Sequence, residues 1–166
     1  WSKFTMELQH ATNLDERVSV ALQLADAVNY LHSQGILHRD LKPDNIGFDA
    51  HGTLKVFDFD VSRRVTSSMK DEYNGDGSLR ALSTESMLLM TKRVGSPRYM
   101  CPECARGEEY NLKADVYTYT LLLHELLTLE KPYDDIDNDD HDEFVFYRHA
   151  RPSIPSTLPF ELIQLL

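Results

Sequence analysis

The feature that most constrains this chain is a run of polar and charged residues, His38-Arg39-Asp40-Leu41-Lys42-Pro43-Asp44-Asn45. An apolar segment, Gly35-Ile36-Leu37, leads into it. In this run Asp40 could accept a proton from an attacking hydroxyl, and Lys42 could neutralise a nearby oxyanion. Asn45 offers a hard oxygen to a cation such as Mg²⁺. The run therefore predicts a catalytic loop.

A second hard ligand, Asp58, follows the apolar run Leu54-Lys55-Val56-Phe57. That run and Ile46-Gly47-Phe48 are predicted to be short strands, and the turn Asp49-Ala50-His51-Gly52 between them predicts a hairpin. A hairpin would bring Asn45 close to Asp58. Asn and Asp also form turns, and for Asn45 alone that interpretation is preferable. Together with Asp40 and Lys42, however, the pair Asn45 and Asp58 favours a cation site for phosphoryl transfer.

Length, composition and charge limit the classes of protein to consider. The 166 residues suffice for one domain with a core, and 42% hydrophobic residues argue against disorder. The net charge of −10 and the lack of a basic stripe argue against nucleic-acid binding. The acidic run 134–140 is interpreted as a solvated loop, since it lacks the glycine and glutamate of an EF-hand calcium loop.

The two cysteines, Cys101 and Cys104, form a single C-x-x-C. Without a second pair a structural zinc is not expected, and without a preceding strand a redox pair is not expected either. No signal peptide is visible, and the apolar run 121–129 contains His124 and Glu125, so we expect no membrane segment in this stretch. We expect a reducing, cytoplasmic (intracellular) setting.

Two helices are predicted with the clearest patterns. Asn13 followed by Glu16 resembles a capping box that begins the first, and Gly35 suits its left-handed end. Residues 114–129, leucine-rich almost all round, form the second, with Asp115 placed favourably for the helix dipole in its first turn. One buried stripe is predicted along the first helix: Val18, Ala21, Leu22, Ala25, Val28 and Leu31.

The rest of the chain has weaker patterns. Residues 1–9 are interpreted as the tail of a helix, and 63–93 as a long loop with a possible short helix at 79–90. A weaker helix is predicted at 142–149 and a final one from Leu158 to Leu166, with an extended segment before it. No internal repeat or low-complexity linker is visible, so a single domain is expected.

The order and spacing of these motifs resemble the protein kinases over nearly the whole chain. The resemblance implies that Asp40 is the catalytic base and that Lys42 contacts the phosphate of ATP. It implies that Asn45 and Asp58 bind Mg²⁺, and that Gly47 lines the nucleotide pocket, where kinases usually carry a larger apolar residue. The implied cofactors are ATP and Mg²⁺, and the implied partner is a protein substrate.

The resemblance extends to the supporting residues. Residues 95–103 resemble the substrate-docking loop, in which Ser96 would contact the catalytic aspartate and lysine and Glu103 would close an Ala-Pro-Glu motif. Asp115 would receive backbone N–H groups from the catalytic loop. Arg39 suggests control by phosphorylation, with Thr91 nearest the usual position. Alternative phosphate acceptors are Ser83, Thr84 and Ser86, and His38 and Phe59 are implied to give structural support.

The implied fold is α+β and mostly α-helical: the C-terminal lobe of a kinase, with a short hairpin beside the catalytic loop, truncated at both ends. Residues 1–166 would be one partial domain, with its catalytic loop at 38–45, its activation segment at 58–103 and its central helix at about 114–129. Lys42-Pro43 and Ser96 resemble serine/threonine kinases. The segment Arg151-Pro152-Ser153-Ile154-Pro155 most resembles their tyrosine-kinase-like group.

Two departures from the kinase pattern leave a second interpretation of the chain's function open. Asp60 occupies the glycine position of Asp-Phe-Gly, where glycine permits backbone conformations that aspartate reaches at some cost. The glycine-rich loop, the strand lysine and the late arginine that pairs with Glu103 are absent from the sequence. We expect a serine/threonine kinase region that needs the missing N-terminal lobe and is inactive as a fragment. The alternative is a pseudokinase or scaffolding module of the same fold.

Overall fold

The computed structural model describes residues 13–65, 91 and 93–166, and within them the chain is mostly helical with a few short strands. The α-helices of this part are α1 (Leu14–Ser33), α2 (Pro102–Arg106), α3 (Lys113–Thr128) and α4 (Phe160–Ile163). Its strands are β1 (Ile36–Leu37), β2 (Ile46–Phe48), β3 (Leu54–Val56) and β4 (Arg63–Arg64). Turns of 3₁₀-helix lie at Pro43–Asn45 and Pro97–Tyr99, and a π-helix at Asp142–Tyr147. The predicted α+β, mostly helical class is confirmed.

Helix α1 begins and ends where the sequence predicts. The side chain of Asn13 accepts a hydrogen bond of 2.8 Å from the backbone N–H of Glu16, which satisfies one of the otherwise free donors of the first turn. Beyond the last turn, Gly35 has a φ of 67°, the left-handed conformation that glycine adopts without a Cβ clash. The cap and the glycine therefore fix both ends of α1 locally.

The predicted buried stripe of α1 is wrong at one position. Leu22 is 62% exposed, whereas Leu24, which the stripe omitted, is fully buried. Each residue turns the helix by about 100°, so a face through Ala21, Leu24 and Val28 leaves Leu22 on the solvent side. Helix α3, the partner of α1, selects this face. Leu31 completes it, and Val18 and Ala25 are half-buried.

Helix α3 is the centre of the described core. Leucines at 121, 122, 123, 126 and 127 are buried, so the helix is enclosed on most sides, as the leucine run predicts. It runs antiparallel to α1, because Arg17 donates to the carbonyl of Leu127 while His32 contacts Asp115 at the other end. None of the described helices combines the length and apolar character needed to cross a membrane.

The predicted hairpin is confirmed as β2 and β3, which pair antiparallel with Ile46 opposite Val56 and Phe48 opposite Leu54. Gly52 takes a φ of 75° in the turn. The backbone N–H of Phe57 donates to the carbonyl of Asn45 at 2.8 Å, so the two segments stay paired one residue beyond the strands. The hairpin thereby sets the spacing between the end of the polar loop 38–45 and the residues after β3.

Three predicted segments need correction. Residues 63–64, assigned to a loop, form β4 and pair with β1, an interaction distant in sequence that two arginines do not signal. The final helix spans only Phe160–Ile163, because the proline at 159 disfavours helical backbone at Leu158. The helix predicted at 142–149 is a π-helix, Asp142–Tyr147. The predictions for 1–9 and 79–90, and for Ser83, Thr84 and Ser86, lie outside the described residues.

Replacing Asn13 by alanine should lower the free energy of unfolding by about 1 kcal/mol, because the N–H of Glu16 loses its acceptor. Urea denaturation followed by circular dichroism measures this difference. Asn29→Ala, at an exposed position inside α1, is the matched control and should be neutral or slightly stabilising. Equal destabilisation by both variants would show that the cap is not what holds the start of α1.

Candidate active site

One buried carboxylate, that of Asp115 in the first turn of α3, holds the polar loop 38–45 in place. Asp115 is 1% exposed and accepts the backbone N–H of His38 at 2.8 Å and of Arg39 at 2.9 Å, one on each oxygen. His32 lies 3.0 Å from the same carboxylate. Buried carboxylates are costly unless their oxygens are hydrogen-bonded, and here they are. These backbone contacts are the ones that the kinase resemblance implies for this aspartate.

The loop then turns sharply against the segment around Gly95. Arg39 has a φ of 70°, and Gly95 has a φ of 103°. A Cβ on Gly95 would lie 2.3 Å from the carbonyl oxygen of Arg39, so no other residue fits this approach without a shift of the backbone. The close approach brings Ser96, the next residue, against Asp40.

Asp40 is the centre of a hydrogen-bond cluster. Its Oδ1 accepts from the backbone N–H of Ser96 at 2.8 Å and from the Ser96 hydroxyl at 2.9 Å. Its Oδ2 accepts from Lys42 Nζ at 2.7 Å and from Asn45 Nδ2 at 3.1 Å. Lys42 Nζ also lies 3.1 Å from the Ser96 hydroxyl. The structure thus brings four of the predicted site residues together, with a lysine to balance the aspartate.

The amide of Asn45 is oriented by its own contacts. Its Nδ2 donates to the Asp40 carbonyl at 2.8 Å as well as to the Asp40 carboxylate, and Asn45 is 5% exposed. With the nitrogen turned to Asp40, the oxygen Oδ1 has no hydrogen bond to any described residue. An amide oxygen held in this way fits the preference of Mg²⁺ for hard oxygen ligands.

Asp58 lies beyond β3, one residue after the pair formed by Phe57 N and Asn45 O. It is exposed and has a φ of 59°. The N–H of Asp60 donates to Asp58 Oδ1 at 3.3 Å, and Asp60 itself is not left-handed. The unfavourable backbone conformation expected at position 60 is therefore found at Asp58 instead. Aspartate tolerates this left-handed region better than most residues. The hairpin carries Asp58 toward the end of the loop that holds Asn45.

No group of three or more His, Cys, Asp or Glu side chains in the described ranges could hold a metal ion by itself. Asn45 and Asp58 supply one amide and one carboxylate. Mg²⁺ commonly takes only one or two protein ligands and completes its shell with water and phosphate oxygens. The residues present therefore fit a magnesium ion bound together with a nucleotide.

His38 joins the loop to the segment that follows β3. It is fully buried, its Nδ1 accepts the N–H of Asp40 at 3.3 Å, and its Nε2 therefore carries the proton donated to the Phe57 carbonyl at 3.0 Å. Its ring meets that of Phe59 edge-on, with 5.0 Å between centroids. These contacts position Asp40 relative to Asp58 without contacting any reacting atom.

Gly47 has a role in packing that the sequence did not reveal. A Cβ at this position would lie 3.1 Å from Cε2 of Phe57, so the missing side chain makes room for the Phe57 ring. Phe57 is 50% exposed and lies just outside β3. The ring occupies space beside the predicted nucleotide pocket that a larger residue at 47 would take.

The Arg39 side chain contacts both the segment that follows β3 and Tyr110. Its Nε donates to the Val61 carbonyl at 2.6 Å, and its guanidinium donates to the Tyr110 hydroxyl at 3.4 Å. That hydroxyl in turn donates to the Thr91 carbonyl at 3.0 Å. Arg39 and Thr91 are therefore linked through Tyr110, a residue that the sequence analysis missed because it lies outside every motif.

A second buried link fastens the docking segment to α3. The Tyr99 hydroxyl donates to Glu125 at 2.7 Å, and Thr118 donates to the Tyr99 carbonyl at 2.8 Å. Burial raises the pKa of the Glu125 carboxyl, and burial together with the nearby Glu125 raises the pKa of Tyr99. Sequence reasoning could have suspected Glu125 as the lone acid in an apolar run. Glu103, half-buried in the first turn of α2, has no side-chain partner in the described ranges.

Comparison with known proteins gives consistent matches. A family model described as the protein kinase domain matches residues 3–162. A probable serine/threonine-protein kinase of Dictyostelium discoideum is 36% identical over 154 residues, 93% of this chain and 15% of that protein. The serine/threonine-protein kinase STY17 of Arabidopsis thaliana is 36% identical over 149 residues, 90% of this chain and 23% of its own length.

A bacterial relative gives a similar result. The serine/threonine-protein kinase PknD of Chlamydia trachomatis is 34% identical over 140 residues, 80% of this chain and 15% of that protein. The chain thus spans less than a quarter of the length of the relatives named here.

The raised pKa of Glu125 predicts a pH dependence of stability. The folded state binds the Glu125 proton more tightly than the unfolded state, whose pKa is near 4.5. Its stabilising contribution is therefore greatest below that pH and is lost as pH rises through the folded-state pKa. The free energy of unfolding of the wild type should fall relative to Glu125→Gln between about pH 4 and pH 7, measured by urea denaturation.

Glu130→Gln, at an exposed position nearby, is the matched control and should show a smaller pH-dependent difference. A wild-type advantage over Glu125→Gln that grew with pH would contradict the assigned direction, because the carboxylate would then be favoured in the folded state.

Proposed function

Because the chain belongs to the protein kinase domain family, we propose that it is the catalytic region of a serine/threonine protein kinase, which transfers the γ-phosphoryl group of ATP to a protein hydroxyl. The observation that carries the proposal is the Asp40 carboxylate, held through both oxygens by Ser96, Lys42 and Asn45. Phosphoryl transfer depends mostly on positioning and charge stabilisation, and this cluster supplies both.

Asp40 is the proposed general base. A substrate serine or threonine hydroxyl would donate its proton to the Asp40 carboxylate as the hydroxyl oxygen attacks phosphorus. The Asp40 side chain is 11% exposed, so the base is accessible yet shielded from bulk water. The hydrogen bonds from Ser96 fix its orientation before substrate arrives. Such a base contributes a factor of about 10² to 10⁴ to the rate.

Lys42 is the proposed phosphate-contacting residue. Its Nζ is fixed between Asp40 and Ser96, and its side chain is 23% exposed. A positive charge held beside the base would stabilise the negative charge on the transferred group. Transfer to serine or threonine is supported by the resemblance, which implies a small hydroxyl residue beside this lysine in serine/threonine kinases, and by the relatives named as serine/threonine kinases.

Asn45 Oδ1 and the Asp58 carboxylate are the proposed Mg²⁺ ligands. When bound, the ion would neutralise charge on the phosphate oxygens of ATP. The contribution of the chain is to orient the ligands: Asp40 holds the Asn45 amide, and the hairpin holds the backbone before Asp58. Gly47 and the Phe57 ring beside it would border the nucleotide.

Residues 1–166 are proposed to be a C-terminal kinase lobe of the tyrosine-kinase-like group, with the activation segment at 58–103 and Arg39 as the partner of a phosphorylated Thr91. These residues contain no glycine-rich loop, so we propose that they transfer little or no phosphate by themselves. The exposed rings of Phe57 and Phe59 support a face that meets an N-terminal lobe. A cytoplasmic setting would supply ATP.

The second candidate is a non-catalytic module of the same fold that binds partners. Two observations favour it: Asp60 stands in place of the family glycine, and the Phe57 ring packs on Gly47 beside the nucleotide site. We prefer the enzyme because Asp40, Lys42, Asn45 and Asp58 are all present.

Asp40→Asn should lower the rate of phosphate transfer by about 10²-fold or more, because the amide cannot accept the hydroxyl proton. Transfer from radiolabelled ATP to a generic serine-containing protein substrate, catalysed by the full-length protein, measures the rate. Asp26→Asn, the same change at an exposed position on α1, is the matched control and should leave the rate unchanged.

Equal transfer by wild type and Asp40→Asn would remove Asp40 as the base. Absence of transfer by the wild type, with ATP binding retained, would favour the non-catalytic module.

A further inference from the structure

The two cysteines lie one helical turn apart, where the loop 95–103 leads into α2. Cys101 is the N-cap residue of α2, and Cys104 follows one helical turn later. They are 3% and 4% exposed. Residues three apart in a helix face each other with Cβ atoms about 5 to 6 Å apart. A disulfide requires Cβ atoms about 3.5 to 4.5 Å apart, so the two Cβ atoms must approach each other by about 1 to 2 Å when the bond forms.

The two thiols are chemically unequal. The hydrogen bond from the Cys101 thiol lowers the pKa of Cys104 to about 6, whereas this bond and burial raise the pKa of Cys101. Because the thiolate is the nucleophile in thiol oxidation, Cys104 is the sulfur suited to react first. Cys101 retains its proton and is placed to resolve the product.

The pair is also connected to the candidate active site. A small cavity of about 10 Å³ is lined by both cysteines together with Arg39, Val94 and Tyr110. Cys104 Sγ lies 3.7 Å from the Val94 carbonyl, and the N–H of Arg93 donates to the Cys104 carbonyl at 3.1 Å. The segment that rests on Cys104 therefore leads directly to Gly95 and Ser96.

The sequence did not predict a redox pair here, but from these contacts we propose that Cys101 and Cys104 are an oxidation site that hydrogen peroxide converts to an intrachain disulfide. The Cys104 thiolate attacks a peroxide oxygen, the O–O bond breaks, and hydroxide leaves and is protonated to water. The Cys101 sulfur then attacks the resulting sulfenic acid, the S–O bond breaks, and a second water leaves as the S–S bond forms. Two thiols lose two electrons and two protons, and the peroxide is reduced to two waters.

The disulfide would act on the active site through the segment above it. An S–S bond is about 2.0 Å long, so Cys104 Sγ must move toward Cys101, and its 3.7 Å contact with the Val94 carbonyl changes. That movement disturbs the segment that delivers Ser96 to Asp40. This consequence rests on the proposed function: transfer should fall on oxidation and return on reduction.

The disulfide can be detected without any activity assay. Cleavage after Arg98 and Arg106 releases residues 99–106, which contain both cysteines of the chain. The folded protein is treated with hydrogen peroxide, alkylated and digested with trypsin, and the mass of the released peptide is measured by mass spectrometry. We expect the peptide to lose two hydrogen atoms and to accept no alkyl group unless dithiothreitol is added first. A peptide that stays doubly alkylated from folded protein, but closes in urea-unfolded protein, would overturn the proposal.

Single variants test the order of the two steps. Cys101→Ser should stop at a sulfenic acid on Cys104, trapped by quenching into urea that contains dimedone. Cys104→Ser should trap about 10-fold less, because the remaining thiol is the poorer nucleophile. Equal trapping would overturn the assigned roles. A disulfide in a protein that never transfers phosphate would count against the proposed function and not against the oxidation site.

Discussion

The structure depends on two backbone hydrogen bonds received by one buried carboxylate. Asp115 accepts the N–H groups of His38 and Arg39 and thereby fixes the loop to α3, the most enclosed helix of the described core. Hydrogen bonds to an ionised group are worth more than neutral ones, and a buried carboxylate without them would be strongly destabilising. This attachment fixes the start of the loop that carries Asp40, Lys42 and Asn45.

Charge balance explains how the loop concentrates polar groups without losing stability. The carboxylate of Asp40 receives one cationic donor, Lys42, and further neutral donors from Ser96 and Asn45. Each donor comes from a different local structure, since Ser96 arrives through the Gly95 approach and Asn45 ends a 3₁₀ turn. Each Asp40 oxygen already accepts two donors, so a substrate hydroxyl would have to displace one of them before it could give up its proton.

The sequence predicted features that depend on near neighbours. The Asn13 cap, the Gly35 end of α1 and the β2–β3 hairpin each rest on a few adjacent residues, and the structure has all three. The motif spacing also predicted that Asp40, Lys42 and Asn45 lie in one site, and their hydrogen bonds to one another agree with this. Their catalytic and metal-binding roles remain proposals that the hydrogen-bond geometry supports.

Features that depend on distant partners could not be predicted in the same way. Leu22 and Leu24 are both apolar, and only the position of α3 decides which one is buried. β4 exists because β1 offers it a partner, and the Phe57 ring lies 3.1 Å from the position that a Cβ at Gly47 would take. Tyr110 links Arg39 to Thr91 across residues that share no local pattern. A hydrophobic period or a motif carries no information on such contacts.

Asp115 should hold the loop 38–45 on α3 through these two hydrogen bonds, and amide hydrogen exchange measured by NMR can show whether it does. In the wild type the N–H groups of His38 and Arg39 should exchange slowly. In Asp115→Asn they should exchange about 10-fold faster or more, because one of the two charged acceptors becomes a donor. The amide of Leu24 in α1 should stay as protected as in the wild type. Unchanged protection of the two loop amides in a folded variant would contradict the account.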